Sequence, residues 1–78
     1  MAIEIDFSYL IDGSFDTVNY YRSESPMNIS AMPAPTATGI TGLSYTDTTA
    51  LENKVYYIRF SSVKGGNEKI SNEIKINT

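Results

Sequence analysis

The sequence predicts an all-β fold: a small antiparallel β-sandwich made by one domain spanning residues 1–78. Three observations carry that expectation. Residues 43–47, 55–63 and 70–76 read as three short strands: period-two alternation marks the first and last, and β-branched and aromatic residues the middle one. Turn chemistry, above all Gly65-Gly66, separates these segments. No stretch carries the 3.6-residue apolar period of an amphipathic helix.

Each element follows from its own residues. Ile3, Ile5, Phe7 and Tyr9 alternate with Glu4, Asp6 and Ser8, giving a first strand with one wet face. Asp12-Gly13-Ser14 supplies a turn. Residues 17–23 are β-branched and aromatic, so they form a second strand. Val18 and Tyr20 point inward there, and the Arg22 stem covers the edge of the core. Residues 25–42 hold Pro26, Pro33 and Pro35, which lack the amide hydrogen a central strand needs. That stretch reads as loop or edge, with room for a short edge strand within residues 27–31. Leu43 and Tyr45 open a third full strand that ends at Asp47-Thr48-Thr49, where the Asp47 carboxylate is expected to cap a turn. Residues 55–63 form the strongest strand, with Tyr56, Ile58 and Phe60 on the core face because Arg59 belongs outside. Lys64-Gly65-Gly66-Asn67 is a hairpin signal. In the last strand, Ile70, Asn72, Ile74 and Ile76 share one face, and Ser71, Glu73 and Lys75 meet solvent.

Composition bounds the function. With 41% apolar and 19% charged residues the chain is globular in character. It has no cysteine and no histidine, so neither a disulfide nor a Cys/His zinc site can brace it. A small chain of this kind must fold by packing alone or lean on a partner. The net charge of −3 and only six scattered basic residues argue against nucleic acid and anionic membranes as partners. The N-terminus lacks a basic region followed by an apolar run, so no signal peptide is expected, and no apolar run is long enough to span a bilayer.

The search for chemistry ends without an active site. Nine acidic residues are dispersed, with no pair placed for acid–base work, and no histidine is present to activate a serine. A Ser–Lys arrangement is left as a minor alternative. Asp12-x-Ser14-x-Asp16 hints at a calcium loop, but the closing glutamate of an EF-hand would fall on Ser23, and a solvated turn is the better reading. No catalytic residue, metal site or cofactor is therefore expected, and the chain is read as no enzyme. Asn28-Ile29-Ser30 is a glycosylation sequon of little weight without a signal peptide. Met27, Ile29 and Met32 either fold back over the open end of the sandwich or form an apolar patch for protein contact, and Tyr21 and Tyr57 on the non-core face suit either role.

Val18-Asn19-Tyr20-Tyr21-Arg22-Ser23, Ser44-Tyr45-Thr46-Asp47-Thr48-Thr49 and Val55-Tyr56-Tyr57-Ile58-Arg59-Phe60 resemble strands C, E and F of fibronectin type III-like (immunoglobulin-like) modules, with residues 70–76 in the place of strand G. The resemblance runs from about residue 17 to residue 76. It implies that Tyr56 plugs the end of the core while its hydroxyl bonds the preceding loop. It also implies that Phe7 stands in for the tryptophan usual on strand B. Ile3 already sits in the candidate strand B, so strand A is absent or shortened; alternatively, residues 3–9 bend and serve as strand A. An uncovered edge of that kind predicts self-association at high concentration.

Tyr21-Arg22-Ser23, Pro26-Met27, Met32-Pro33-Ala34-Pro35 and Ala37-Thr38-Gly39-Ile40 leading into Ser44-Tyr45-Thr46-Asp47 are similar to modules of tailed-phage and prophage structural proteins. That similarity implies a structural or protein-interaction module of the virion (tail, head decoration or adhesion), made in the bacterial host cytoplasm. Its partners would be other virion subunits or further copies of itself. A chain opening on Met1 without a leader is then expected to be a complete small gene product. Two rivals come from other classes. One is a small acidic phage protein that binds and inhibits a host protein. The other is a carbohydrate-binding adhesion module, which would need aromatic rings exposed together beside polar side chains.

Overall fold

The alternating segments form strands, and the apolar sides of two antiparallel sheets face each other. The computed structural model describes residues 2–9 and 15–78. Within them lie β1 (Ala2–Ser8), β2 (Thr17–Ser23), β3 (Ala37–Ile40), β4 (Ser44–Leu51), β5 (Val55–Lys64), β6 (Asn67–Ile70) and β7 (Ile74–Asn77), with no helix among the described residues. The expected turn at Asp12-Gly13-Ser14 lies outside the described residues. One sheet is the pair β1–β4; the other has the order β3-β2-β5-β6, with β7 also paired to β5. The chain is thus all-β, with the two-layer arrangement of a small β-sandwich.

The core forms where β1–β4 lies on β2 and β5. Val18, Tyr20, Ala50, Tyr56, Ile58 and Phe60 are buried together, with Ile3, Ile5, Phe7, Tyr45 and Ile76 packed around them. Aromatic rings join the layers. Phe7 meets Phe60 edge-on at 5.2 Å and Tyr20 at 5.4 Å, and Tyr45 meets Tyr20 at 4.9 Å. Such ring pairs add about 0.5–1.5 kcal/mol each beyond their burial.

The β5–β6 hairpin closes through Gly65 and Gly66, both at positive φ (56° and 85°), the backbone of a primed turn, with Lys64 opposite Asn67. The β4–β5 turn likewise uses Asn53 at φ 57°. Local chemistry therefore sets both turns, the first closing a hairpin and the second carrying the chain from one sheet to the other.

Three expectations need correction. The edge strand beside β2 is β3, at Ala37–Ile40, and not within residues 27–31. Its register against β2 slips between Val18–Ile40 and Tyr20–Ala37, and Gly39 at φ 72° absorbs the extra residue. The third full strand does not stop at Asp47; β4 continues to Leu51. Its partners step from Asp47 opposite Ile5 to Ala50 opposite Ile3, a bulge of one residue. Asp47 and Ala50 consequently both point inward, although three positions apart. The last strand is broken. Ile70 faces Ser61 and Ile74 faces Ile58, so four positions on one side span three on the other. Beyond that break Glu73 is half-buried on the outer face, beside Arg59, and Ile74 is exposed.

Candidate functional site

Three arrangements of side chains stand out, and each starts from a strand parity. The first is a buried polar hub. Arg22 shares the inward parity of Val18 and Tyr20, so its guanidinium needs an anion at the core edge, and Asp47, inward on β4, supplies it at 2.7 Å. The other contacts use up the carboxylate. Tyr20 donates to one oxygen at 2.5 Å, and the Thr49 amide and hydroxyl each donate to the other at 2.8 Å. The Arg22 guanidinium also lies 4.9 Å from the Tyr56 ring centroid. Burial alone would push the Asp47 carboxyl up, but the hydrogen bonds from Tyr20, Thr49 and Arg22 together hold it below the usual carboxylate range. Burial and the adjoining carboxylate push the Tyr20 hydroxyl well above the ordinary tyrosine value.

Asp47 does bond the backbone amide of Thr49, as a turn-capping carboxylate would, yet it does so inside a strand and 1% exposed. A shallow cavity of about 200 Å³ beside the hub is lined by Arg22, Ser23, Glu24, Thr49, Leu51 and Tyr56. Tyr56 closes this end: it is buried, and its hydroxyl accepts from the Leu51 amide at 3.0 Å.

The second arrangement lies on the outer face of the five-stranded sheet. Glu68 accepts from Tyr21, from Ser61 at 2.5 Å and from Asn19 at 3.0 Å. The Ser61 and Tyr21 hydroxyls hold the Glu68 carboxyl below its ordinary value, while burial and this contact push Tyr21 upward. Beside it, the segment between β2 and β3 folds onto the sheet. The Met27 amide donates to Glu73 at 2.7 Å, and the Met27 carbonyl accepts from Arg59 at 3.2 Å. Arg59 also donates to the Ser71 carbonyl at 2.7 Å, and its Nε lies 3.6 Å from Glu73. At the segment's turn, Asn28 accepts from the Ser30 amide and hydroxyl, at 3.0 and 2.8 Å.

These placements sort the candidate contact residues. Tyr21 and Met27 are buried, the first bonded to Glu68 and the second held by Glu73 and Arg59. Met32 and Tyr57 are half-buried, and Ile29 stands 62% exposed at the turn. Tyr56, Ile58 and Phe60 are buried on the inner face and Phe7 packs against them. Asp16, the described member of the Asp12-x-Ser14-x-Asp16 pattern, accepts from the Gly65 amide at 3.0 Å; Asp12 and Ser14 lie outside the described residues.

Sequence reasoning missed the hub, although its signal was present. An arginine at inward parity on β2 requires an inward carboxylate, and alternation from Tyr45 puts Asp47 there.

The third arrangement is a margin. Exposed Leu43, Leu51, Val55 and Ile74 lie at strand ends or just outside them, and β1 pairs only with β4 among the described residues. No group of three or more acidic side chains converges on a point where a metal could sit among the described residues, and no helix there is long and apolar enough to cross a membrane. No family model matches the chain, and no curated protein or solved structure is similar enough to it to count as a match.

Proposed function

We propose that the chain is a fibronectin type III-like module that acts by protein contact, without catalysis, as a structural component of a tailed-phage particle. The fold part of this reading is supported by the strand order. A β1–β4 pair opposite β3-β2-β5 with β6 and β7 corresponds to strands B–E opposite C′–C–F–G. The Tyr56 hydroxyl, bonded to a backbone amide five residues earlier, is what the tyrosine corner of such modules would place there. In this correspondence β1 takes the place of strand B, since it pairs with β4, and strand A has no counterpart among the described residues.

One observation carries the contact reading. Tyr20, Arg22 and Asp47, polar groups with displaced proton affinities, are bonded to one another and point inward. What the surface offers instead is an edge of β1 that pairs with nothing among the described residues, and isolated apolar side chains at the margin. The carbohydrate alternative needs rings exposed side by side, and all nine aromatic residues are buried or half-buried. The phage setting rests on the sequence similarity of residues 17–76.

Mass spectrometry of purified particles from a lysate that encodes the chain tests the reading. Recovery at a fixed ratio to other particle proteins is expected. Particles that lack it, together with its recovery on a host protein from infected cells, would replace this reading with the inhibitor one.

A further inference from the structure

We propose that the free edge of β1 is a docking edge for an extended segment of another protein, one that alternates aliphatic and basic residues and lies across β7. The inference rests on the contact reading above and specifies the partner's chemistry. Its basis is which strand covers which. Phe7 and Tyr9 of the first strand region place their rings 5.2 and 4.8 Å from Phe60 on β5. Tyr45 and Asp47 on β4 instead reach Tyr20 on β2. Phe7 also lies 5.4 Å from Tyr20, so the small sheet sits with β4 over β2 and β1 over the β2–β5 pair, displaced toward β5 where Tyr9 meets Phe60. The unpaired side of β1 consequently projects toward the side of the larger sheet where β6 and β7 lie.

On that side the inner face is open at Ile74, although Ile76 further along β7 packs against the core. Ile74 is in register with Ile58, which is fully buried, yet Ile74 is 50% exposed. Paired residues on adjacent antiparallel strands share a face, so Ile74 points to the inner side and lacks a cover. Ile3 and Ile5 are only half-buried on the inner side of β1. A strand added to β1 would run about 4.8 Å from it and bring its inward side chains down over Ile74. Backbone hydrogen bonds would hold such a segment, and alternate side chains would select it.

The outward side chains define the selection. Glu4 and Asp6 are exposed on β1, and like charges directly opposite one another on adjacent strands destabilise the pairing. Two copies joined through their β1 edges would bring acid against acid. A partner strand carrying lysine or arginine at its outward positions gains where a second copy loses, and the net charge of −3 draws it in.

Blocked seven-residue peptides test this on the whole chain: one alternating valine and lysine, the other valine and glutamate. Amide exchange and methyl shifts are followed by NMR. The lysine peptide is expected to slow exchange along β1, to shift the Ile74 methyls, and to bind roughly tenfold more tightly than the glutamate peptide. That preference should shrink when salt rises from about 50 to about 500 mM. Ile74→Lys, at an exposed position, should weaken the lysine peptide at least about fivefold while leaving the melting temperature in place. Equal binding of both peptides, protection confined to the edges of β3, β4 or β6, an unaffected Ile74→Lys variant, or dimers joined through β1 would each overturn the inference. Recovery of the chain in particles without peptide binding would remove this inference alone. Peptide binding by a chain missing from particles would leave the edge and remove the virion reading.

Discussion

The two sheets are built from the same alternating pattern but are held in different ways. The five-stranded sheet has cover on parts of both faces: inside β1 and β4 lie over β2 and β5, and outside the segment between β2 and β3 brings Met27 onto Arg59 and Glu73. The two-stranded sheet is covered only inside. Its other face carries Glu4, Asp6, Ser8, Ser44, Thr46 and Thr48, all exposed. A two-stranded ribbon by itself is marginal in water. The small sheet therefore persists through its ties to the large one, the aromatic stack and the Asp47 hub. Cohesion between the layers is concentrated in a few residues, whereas cohesion within the large sheet is distributed.

The sharpest way to break this contrast is at the strongest tie. Asp47→Ala removes an anion that Tyr20 and Arg22 both reach across the layers, leaving a half-buried guanidinium and a buried hydroxyl without their partner. Breaking a buried pair in this way costs about 3–5 kcal/mol, comparable to the whole stability of so small a domain. Loss of the cooperative melting transition is expected by circular dichroism; a melting temperature within a few degrees of the parent would show that the hub does not join the sheets.

The same groups set the pH window. The Asp47 and Glu68 carboxyls are depressed in the folded chain, so on acidification the unfolded chain takes up protons first. Their contribution is present above the unfolded value of about 4 and is lost as the pH falls through it toward the folded pKa. Tyr20 is raised, so its contribution is complete below about pH 10 and disappears as the pH climbs beyond the ordinary tyrosine value. Thermal melts across pH should fall off at both ends, with a flat acid limb counting against the hub.

How far these features were legible in the sequence follows the same division. β5 and its hairpin were readable because alternation and Gly65-Gly66 are local signals. The hub was hidden by Thr48-Thr49, which look like a turn after Asp47 but form a bulge that keeps the strand running and preserves the inward direction at Ala50. β3 was hidden because Gly39, which reads as a loop residue, is the bulge that lets residues 37–40 pair with β2. For Met27 the sequence left both a fold-back and an exposed patch open, because a proline-rich stretch resembles a solvated loop. Only long-range partners, the Arg59 side chain and Glu73 beyond the break in the last strand, bring it down. Period two predicts a face only until a bulge intervenes, and three bulges or breaks account for the errors in strand boundaries and facing.

A smaller effect is expected where the outer cover is tied down. Glu73→Ala frees the Met27 amide and removes the carboxylate 3.6 Å from Arg59. A loss of about 2 kcal/mol should follow, the cost of leaving part-buried donors without an acceptor. Exchange of the Met27 amide should rise out of proportion to this, because the segment lifts before the sheet opens. Smaller again is Tyr56→Phe, which keeps the buried ring and removes the acceptor of the Leu51 amide. About 1 kcal/mol is expected by denaturant titration, and a neutral result would mean that the ring alone closes this end of the core.

The smallest effect on stability belongs to Ile29, and it separates folding from contact most cleanly. Ile29 is 62% exposed at a turn held by Asn28 and Ser30, whose hydrogen bonds do not involve its side chain. Ile29→Ser should move the unfolding free energy by less than about 0.5 kcal/mol, as surface substitutions away from special features do. If the proposed particle role holds and the turn contributes apolar contact, incorporation into particles should nevertheless decline. A drop in stability without a change in incorporation would instead make Ile29 part of the cover over the five-stranded sheet, and the covered face would extend beyond Met27 to the end of the turn.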